Sequence, residues 1–317
     1  MFRPHPLKAL VQQQKMGMAS GICSICSSHQ YVIEAAIEKA VNEGTYILIE
    51  ATANQVNQYG GYTRMFPKDF AEFVKNIAVK KGLAIDRLML GGDHLGPLVW
   101  KDESESTSME KAESLIIDYV KAGFSKIHID TSMHLGSDDR SKKLETNTIA
   151  KRAARLYKAA EKAFDDVTDM EEFYYKPVYV IGSEVPVPGG TREDEVLQVT
   201  QIEDLEETLQ CYREAFAQVC SGNALNDVIA VVVQPGVEFG EGSIHEYSKE
   251  AAKKLSTFIK AQDYIIFEGH STDYQMMTHL SVMVEDGIAI LKVGPAVTFA
   301  LREGLFALEN IEKELLS

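Results

Sequence analysis

Eight short apolar runs, spread along the whole chain and separated by stretches of helical period, constrain this fold more than any other feature. They lie at 20–27, 45–53, 87–95, 126–132, 178–185, 228–235, 264–270 and 288–293. Each is continuous rather than alternating, the pattern of parallel strands covered on both faces. Between them, Ile33, Ala36, Ile37, Ala40 and Val41 mark one amphipathic helix, and Phe70, Phe73, Val74 and Ile77 a second. Ala112, Leu115, Ile116, Tyr119 and Val120 follow at helical spacing, then Ile202, Leu205, Leu209, Tyr212 and Phe216. A last helix carries Phe299, Leu305, Leu308 and Ile311. Strand–helix alternation implies a parallel sheet with right-handed crossovers. Eight such units favour the α/β class and a closed, eight-stranded (β/α)8 TIM barrel over an open doubly wound sheet. No composition break marks a linker, so 1–317 reads as one barrel domain. Met276, Met277 and the aromatic helix positions read as core.

Charge narrows the function. The chain has 32 Lys and Arg against 47 Asp and Glu, a net charge of −15. Such a field repels nucleic acid and anionic membranes, and neither is expected as a partner. The opening MFRPHPLKAL lacks a signal-peptide core, and no apolar run approaches the roughly 20 residues of a membrane span. Four cysteines in a chain this long make no disulfide framework, and the cytoplasm is the simplest location. Cys23 and Cys26 form a CxxC inside a predicted strand with no second pair, which disfavours a zinc or redox role. No GxGxxG follows the first strand, so no nucleotide cofactor is expected.

The polar residues fall where the apolar runs end. Glu50 is followed by Asn54 and Gln55; Asp93-His94 follows Gly91-Gly92, glycines that would let the backbone turn sharply. His128 and Asp130 alternate and so share a face. Glu184, Gln234, Glu268, His270, Asp273 and Lys292 sit at later strand ends. Singly, each has a structural reading: a solvated turn, a buried pair, a loop bridge, or for 54–63 a polar loop of no consequence. Lys292 on an apolar strand points inward to a carboxylate or outward to snorkel, with inward favoured. Together they would converge on one barrel mouth, and burying so many without function is costly.

That rim suits metal-assisted sugar chemistry. His94, His270 and Glu184 would hold a divalent ion, zinc or magnesium, with one position open. Asp93 would move a proton at the C4 hydroxyl, its pKa raised toward neutrality by burial. Glu184, His128, Asp130 and Asp273 are further catalytic candidates, and Glu50, Asn54, Gln55, Gln234 and Lys292 could contact substrate. A phosphate would rest on the backbone amides of 270–273, including Ser271 and Thr272, and of 293–296, including Gly294.

GGDHLGP (91–97), SKIHID (125–130), GSEVPVPGG (182–190), VVVQPGVEF (231–239), GHSTDYQ (269–275) and LKVGPAVTFALRE (291–303) resemble the GatZ/KbaZ family. So do GICSICSSH (21–29) and IEATANQVNQYGGYT (49–63). The resemblance runs in order from near residue 7 to the end. It implies a barrel that supports the catalytic subunit of a class II tagatose-1,6-bisphosphate aldolase in galactitol and amino-galactose breakdown. Some relatives are described as metal-dependent tagatose 6-phosphate 4-epimerases, and an older description is tagatose 6-phosphate kinase. A kinase is disfavoured because no GxxxxGK[ST] loop exists. A homo-oligomer is compatible with the sequence. Against the catalytic class II aldolases, Asp93-His94 resembles their proton-transferring Asp and adjacent His ligand, and Gly269-His270 their last His ligand. Gln234 stands where they carry another His ligand, and Gly294 where they carry an Asn. Family members usually continue past the last barrel helix, so this chain is expected to lack that extension.

Overall fold

The computed structural model describes residues 4–167, 175–183, 197–220, 224–240 and 242–316. Helix α1 (Pro6–Lys15) precedes β1 (Ile22–Cys26), α2 (Gln30–Glu43), β2 (Ile47–Thr52), α3 (Pro67–Lys81) and β3 (Leu88–Leu95). Then come α4 (Glu105–Lys121), β4 (Lys126–Ile129), α5 (Thr146–Asp165), β5 (Val178–Ile181), α6 (Ile202–Val219) and β6 (Val228–Val233). A small hairpin, β7 (Glu238–Phe239) and β8 (Ile244–His245), leads to α7 (Lys253–Lys260) and β9 (Ile266–Gly269). The chain ends with α8 (Met277–Glu285), β10 (Ile288–Val293) and α9 (Pro295–Leu316). Eight parallel strands close in the order β1-β10-β9-β6-β5-β4-β3-β2. Each lies within one of the eight apolar runs. No helix among the described residues is long and apolar enough to cross a membrane.

Helix α5, whose buried face is largely alanine (Ala150, Ala153, Ala154, Ala160, Ala163), is an addition to the helices read from the sequence. Met276, Met277 and Phe299 are exposed rather than core, and no residue of α9 is buried.

Two apolar cores result. The larger packs the helices onto the outside of the barrel, through Ile33, Phe70, Leu115, Tyr157 and Phe216. The smaller fills the barrel's lower interior with Leu48, Met89, Val180, Val232, Ile266 and Ile290, and Leu7 and Val11 of α1 complete it from below. His5 caps α1 by accepting the Leu7 N–H, and its other ring nitrogen meets Ser125 Oγ at 3.1 Å. Burial pushes the His5 pKa down to about 3, so it seals the base as a neutral ring.

Above this floor the interior is ionic. Lys126 Nζ lies 2.8 Å from Glu50 Oε1 and 2.8 Å from Glu268 Oε2, with all three side chains inaccessible to solvent. Lys292 points inward, as expected, and pairs with Glu50 and, at 2.8 Å, with Asp93 Oδ2. Gly91 makes this layer possible, since a Cβ there would sit 2.4 Å from Glu50 Oε1. The expectation that Gly91-Gly92 form a turn is corrected: both pair in register with β2 and β4 inside β3. Their small size, not a bend, is what the barrel uses.

Removing one member of such a network strands its partners without solvent. Lys126→Met keeps the stem but leaves Glu50 and Glu268 facing one another. It should lower stability by about 3–5 kcal/mol, measurable as a shift in the guanidinium unfolding midpoint. An unchanged midpoint would refute the view that this pairing holds the interior.

Candidate metal centre

The four side chains Asp93, His94, His128 and His270 meet at the barrel mouth, each offering a donor atom within 4.8 Å of the others. Strict alternation would send one of two consecutive residues outward. A register shift between Gly92 and Leu95, with His94 at φ 46°, breaks the alternation at this point. Such a bulge turns Asp93 and His94 to the same side. His128 reaches the mouth from β4, and His270 from just beyond β9. The three rings lie 4.7–5.3 Å apart, centroid to centroid.

Carboxylates behind the rings orient them. Asp130 Oδ2 lies 2.8 Å from His94 Nδ1 and is itself fixed by the Ser132 N–H and hydroxyl. The proton on His94 Nδ1 then points at Asp130, which leaves Nε2 as the donor atom. Glu268 Oε1 lies 3.0 Å from His270 Nε2 and does the same for that ring. Carboxylate-backed imidazoles are the usual outer support of metal-binding histidines. His128 Nε2 sits 2.8 Å from the Gly182 carbonyl and must donate to it. Its Nδ1, which takes the His94 N–H at 3.3 Å, then faces Asp93 Oδ1 at 3.0 Å. A bare ring nitrogen and a carboxylate oxygen repel at that distance, so the pair calls for a proton or a cation.

The charge inventory points the same way. Among the described residues, the carboxylates Glu50, Asp93, Asp130 and Glu268 meet two lysines, Lys126 and Lys292, and the histidines, so the carboxylates outnumber the lysines by two. Burial disfavours a charged His94, but Asp93 and Asp130 overcome it and raise its pKa to about 9. A proton on His94 therefore offsets part of the surplus. Burial pushes His270 down to about 3 against the pull of Glu268. Asp93 corrects the expectation of a pKa near neutrality. Burial favours its neutral form, yet Lys292, His94 and His128 hold it well below the ordinary carboxylate range. Asp130, with His94 beside it, and Glu268, with Lys126 beside it, are held low against burial in the same way.

Other predicted residues are placed differently. Glu184 lies outside the described residues. Glu50 and Lys292 are buried in the ionic layer below the histidines. Gln55 is buried, accepting the Thr52 N–H at 2.8 Å, while Asn54 is exposed on the loop. Gln234 spends its amide oxygen on the Gly236 and Val237 N–H groups, so it braces the loop after β6. Thr272 donates to the Lys292 carbonyl, and Ser271 takes a left-handed backbone at φ 50°. Part of the expected phosphate cradle is already taken by the chain itself. Asp273 Oδ1 accepts the Gly294 N–H at 3.1 Å and the Ala296 N–H at 2.7 Å, so the chain's own carboxylate occupies the start of α9. Burial nevertheless raises the Asp273 pKa. Cys23 and Cys26 lie three apart on β1 and so on opposite faces; Cys23 is exposed, while Cys26 Sγ lies 3.8 Å from Asp93 Oδ2. They cannot share an ion.

Sequence reasoning missed Lys126 and the support given by Glu268. Stepping back two residues from His128, and from His270, would have put both on the inward face.

The chain belongs to the GatZ/KbaZ-like family: residues 7–317 match the family described as D-tagatose-1,6-bisphosphate aldolase subunit GatZ/KbaZ-like. The D-tagatose-1,6-bisphosphate aldolase subunit GatZ of Salmonella dublin is 49% identical over 312 residues, spanning 98% of this chain and 72% of that protein. GatZ of Escherichia coli O1:K1 / APEC gives the same identity and coverage. The crystal structure of a probable tagatose 6 phosphate kinase from Sinorhizobium meliloti 1021 is 44% identical, with a TM-score of 0.82, over 93% of this chain and 70% of that one. Fructose-bisphosphate aldolase from Campylobacter jejuni, 15% identical, superposes with a TM-score of 0.61 over 97% of this chain and 80% of its own. That last likeness is one of fold alone.

Binding a cation at His94 Nε2 requires that nitrogen to be free of its proton. The His94 pKa of about 9 then makes zinc affinity rise with pH from about 6.5 toward 9, roughly tenfold per unit. Competition against a chromophoric chelator at several pH values measures it, and a flat profile would exclude His94 as a ligand. Without metal the opposite trend holds for folding. A pKa raised from 6.5 gives stabilisation that is complete below about 6.5 and is lost as pH climbs through about 9.

Proposed function

We propose that this chain acts as the GatZ/KbaZ-type subunit of a class II D-tagatose-1,6-bisphosphate aldolase, supporting the activity and stability of a separate catalytic subunit. The observation carrying this reading is the 49% identity with GatZ proteins over 98% of the chain. The cytoplasm is the matching location.

The donor set fits a divalent ion: three imidazoles and one carboxylate, two rings backed by carboxylates, and a local surplus of negative charge. His94, His128, His270 and Asp93 would hold it, and when bound it would polarise a sugar carbonyl as a Lewis acid. The chain's own groups have separate tasks. Asp130 and Glu268 fix the ring orientations, and Lys292 keeps Asp93 ionised, so its carboxylate can accept a hydrogen bond from a sugar hydroxyl at the mouth. Lys126 keeps Glu50 and Glu268 from repelling one another.

This intact centre favours a second reading, a metal-dependent D-tagatose 6-phosphate 4-epimerase working by retro-aldol cleavage and re-addition. A scaffold has no physical need for a buried cluster of three imidazoles and a carboxylate of this kind.

Mixing the chain with a catalytic class II tagatose-bisphosphate aldolase subunit should raise aldolase activity and lengthen its half-life on warming. If neither changes and no complex forms, the supporting role is wrong. For the second reading, the chain alone with zinc or magnesium should convert tagatose 6-phosphate to fructose 6-phosphate. Asp93→Asn should then remove activity with the circular dichroism spectrum unchanged. No conversion with either metal excludes the epimerase.

A further inference from the structure

The two carboxylates that stand behind rings of the metal centre are not held alike. Glu268 Oε1 meets His270 Nε2 at 3.0 Å, and Lys126 grips the same carboxylate from below, 3.0 Å from Oε1 and 2.8 Å from Oε2. One oxygen is thus shared between the lysine and the ring. Asp130, behind His94, has no such cation. Among the described residues it meets His94 and Ser132 but no lysine or arginine. Lys126 itself touches Glu50 and Glu268 and none of the four donors.

Barrel stability alone does not call for a charge at Lys126. Buried ion pairs can often be exchanged for packed apolar residues with no loss. What the lysine does change is the charge that reaches His270. A carboxylate behind an imidazole makes that ring a stronger donor. A lysine bound to both oxygens of the carboxylate withdraws part of that effect. Lys126, Glu50 and Glu268 are all inaccessible to solvent, so salt and water screen the withdrawal little. A donor that gives less charge holds an ion less tightly and leaves it a stronger Lewis acid.

We infer that Lys126 is a positioning residue that acts through Glu268 to weaken the donor strength of His270, so that a divalent ion at the mouth stays electron-poor. An ion kept for shape alone is better served without this lysine; an ion that must polarise a bound carbonyl is better served with it. The inference rests on the metal centre of the proposed function, but not on which of its two readings holds.

The sign of the effect tests it. Zinc affinity is measured by competition with a chromophoric chelator at one mildly alkaline pH, where proton competition is smallest. Lys126→Met removes the charge, and Lys126→Gln removes it while keeping an N–H donor for the two carboxylates. Each variant should bind zinc about tenfold or more tightly than the wild-type chain, although its unfolding midpoint falls. A merely structural lysine predicts the reverse, because a loosened mouth holds an ion less well. Lys126→Gln decides the question if Lys126→Met does not fold. Cobalt(II) in place of zinc reports the ligand set. Absorption bands at the wild-type position show that the same donors bind in the variants, and bands that move overturn the inference. Zinc binding that is unchanged or weaker in the variants also overturns it, and leaves the metal centre standing. A wild-type chain that binds neither zinc nor cobalt overturns both.

Discussion

Two lysines inside a closed barrel set the terms for everything above them. Lys126 and Lys292 are buried with the carboxylates of Glu50, Glu268 and Asp93, and no solvent screens them. At that depth a charge without a partner is far more expensive than one at the surface. The barrel therefore accepts the lysines only together with the acids, and the acids only with the lysines. Glu268 then serves two layers, pairing Lys126 below and orienting His270 above. Asp93 does likewise, between Lys292 and His128. Side chains shared in this way couple the integrity of the barrel to the geometry of the mouth.

The mouth itself follows from three local devices. A bulge turns two consecutive residues inward, alternation on β4 brings Lys126, His128 and Asp130 to one face, and alternation through β9 does the same for Glu268 and His270. None needs an unusual sequence. Gly91 supplies the room and His94 the one left-handed backbone among the four donors. Each imidazole then finds an oxygen behind it, which leaves orientation to the protein and charge balance to whatever enters.

Much of this was legible beforehand, because parallel strands in a barrel write themselves as unbroken apolar runs and their ends as abrupt polar residues. The inward Lys292 and the pairing of Asp93 with His94 followed from that rule. What could not be read were quantities that depend on three dimensions. Asp93 was expected near neutrality because burial alone raises a carboxylate, and only the structure shows the neighbours, Lys292 first and then the three histidines, that reverse the sign. Gln234 looked available for substrate, but its oxygen is taken by two backbone amides. Asp273 reads as a catalytic candidate in the sequence, but its carboxylate takes two of the amides expected to hold a phosphate. The apolar stripe of α9 was visible, but not that none of its residues would be buried.

The helix that closes the floor has a kinetic consequence. With Leu7 and Val11 packed into the lower interior and His5 fastened to Ser125, the described residues close the lower end of the cylinder and leave the mouth as the way in. Any ion or ligand that reaches the histidines must leave by the route it took in, and traffic in one direction delays traffic in the other. Residence time at the centre is thus governed at the rim, where substitutions can change how long an occupant stays without touching the atoms that hold it.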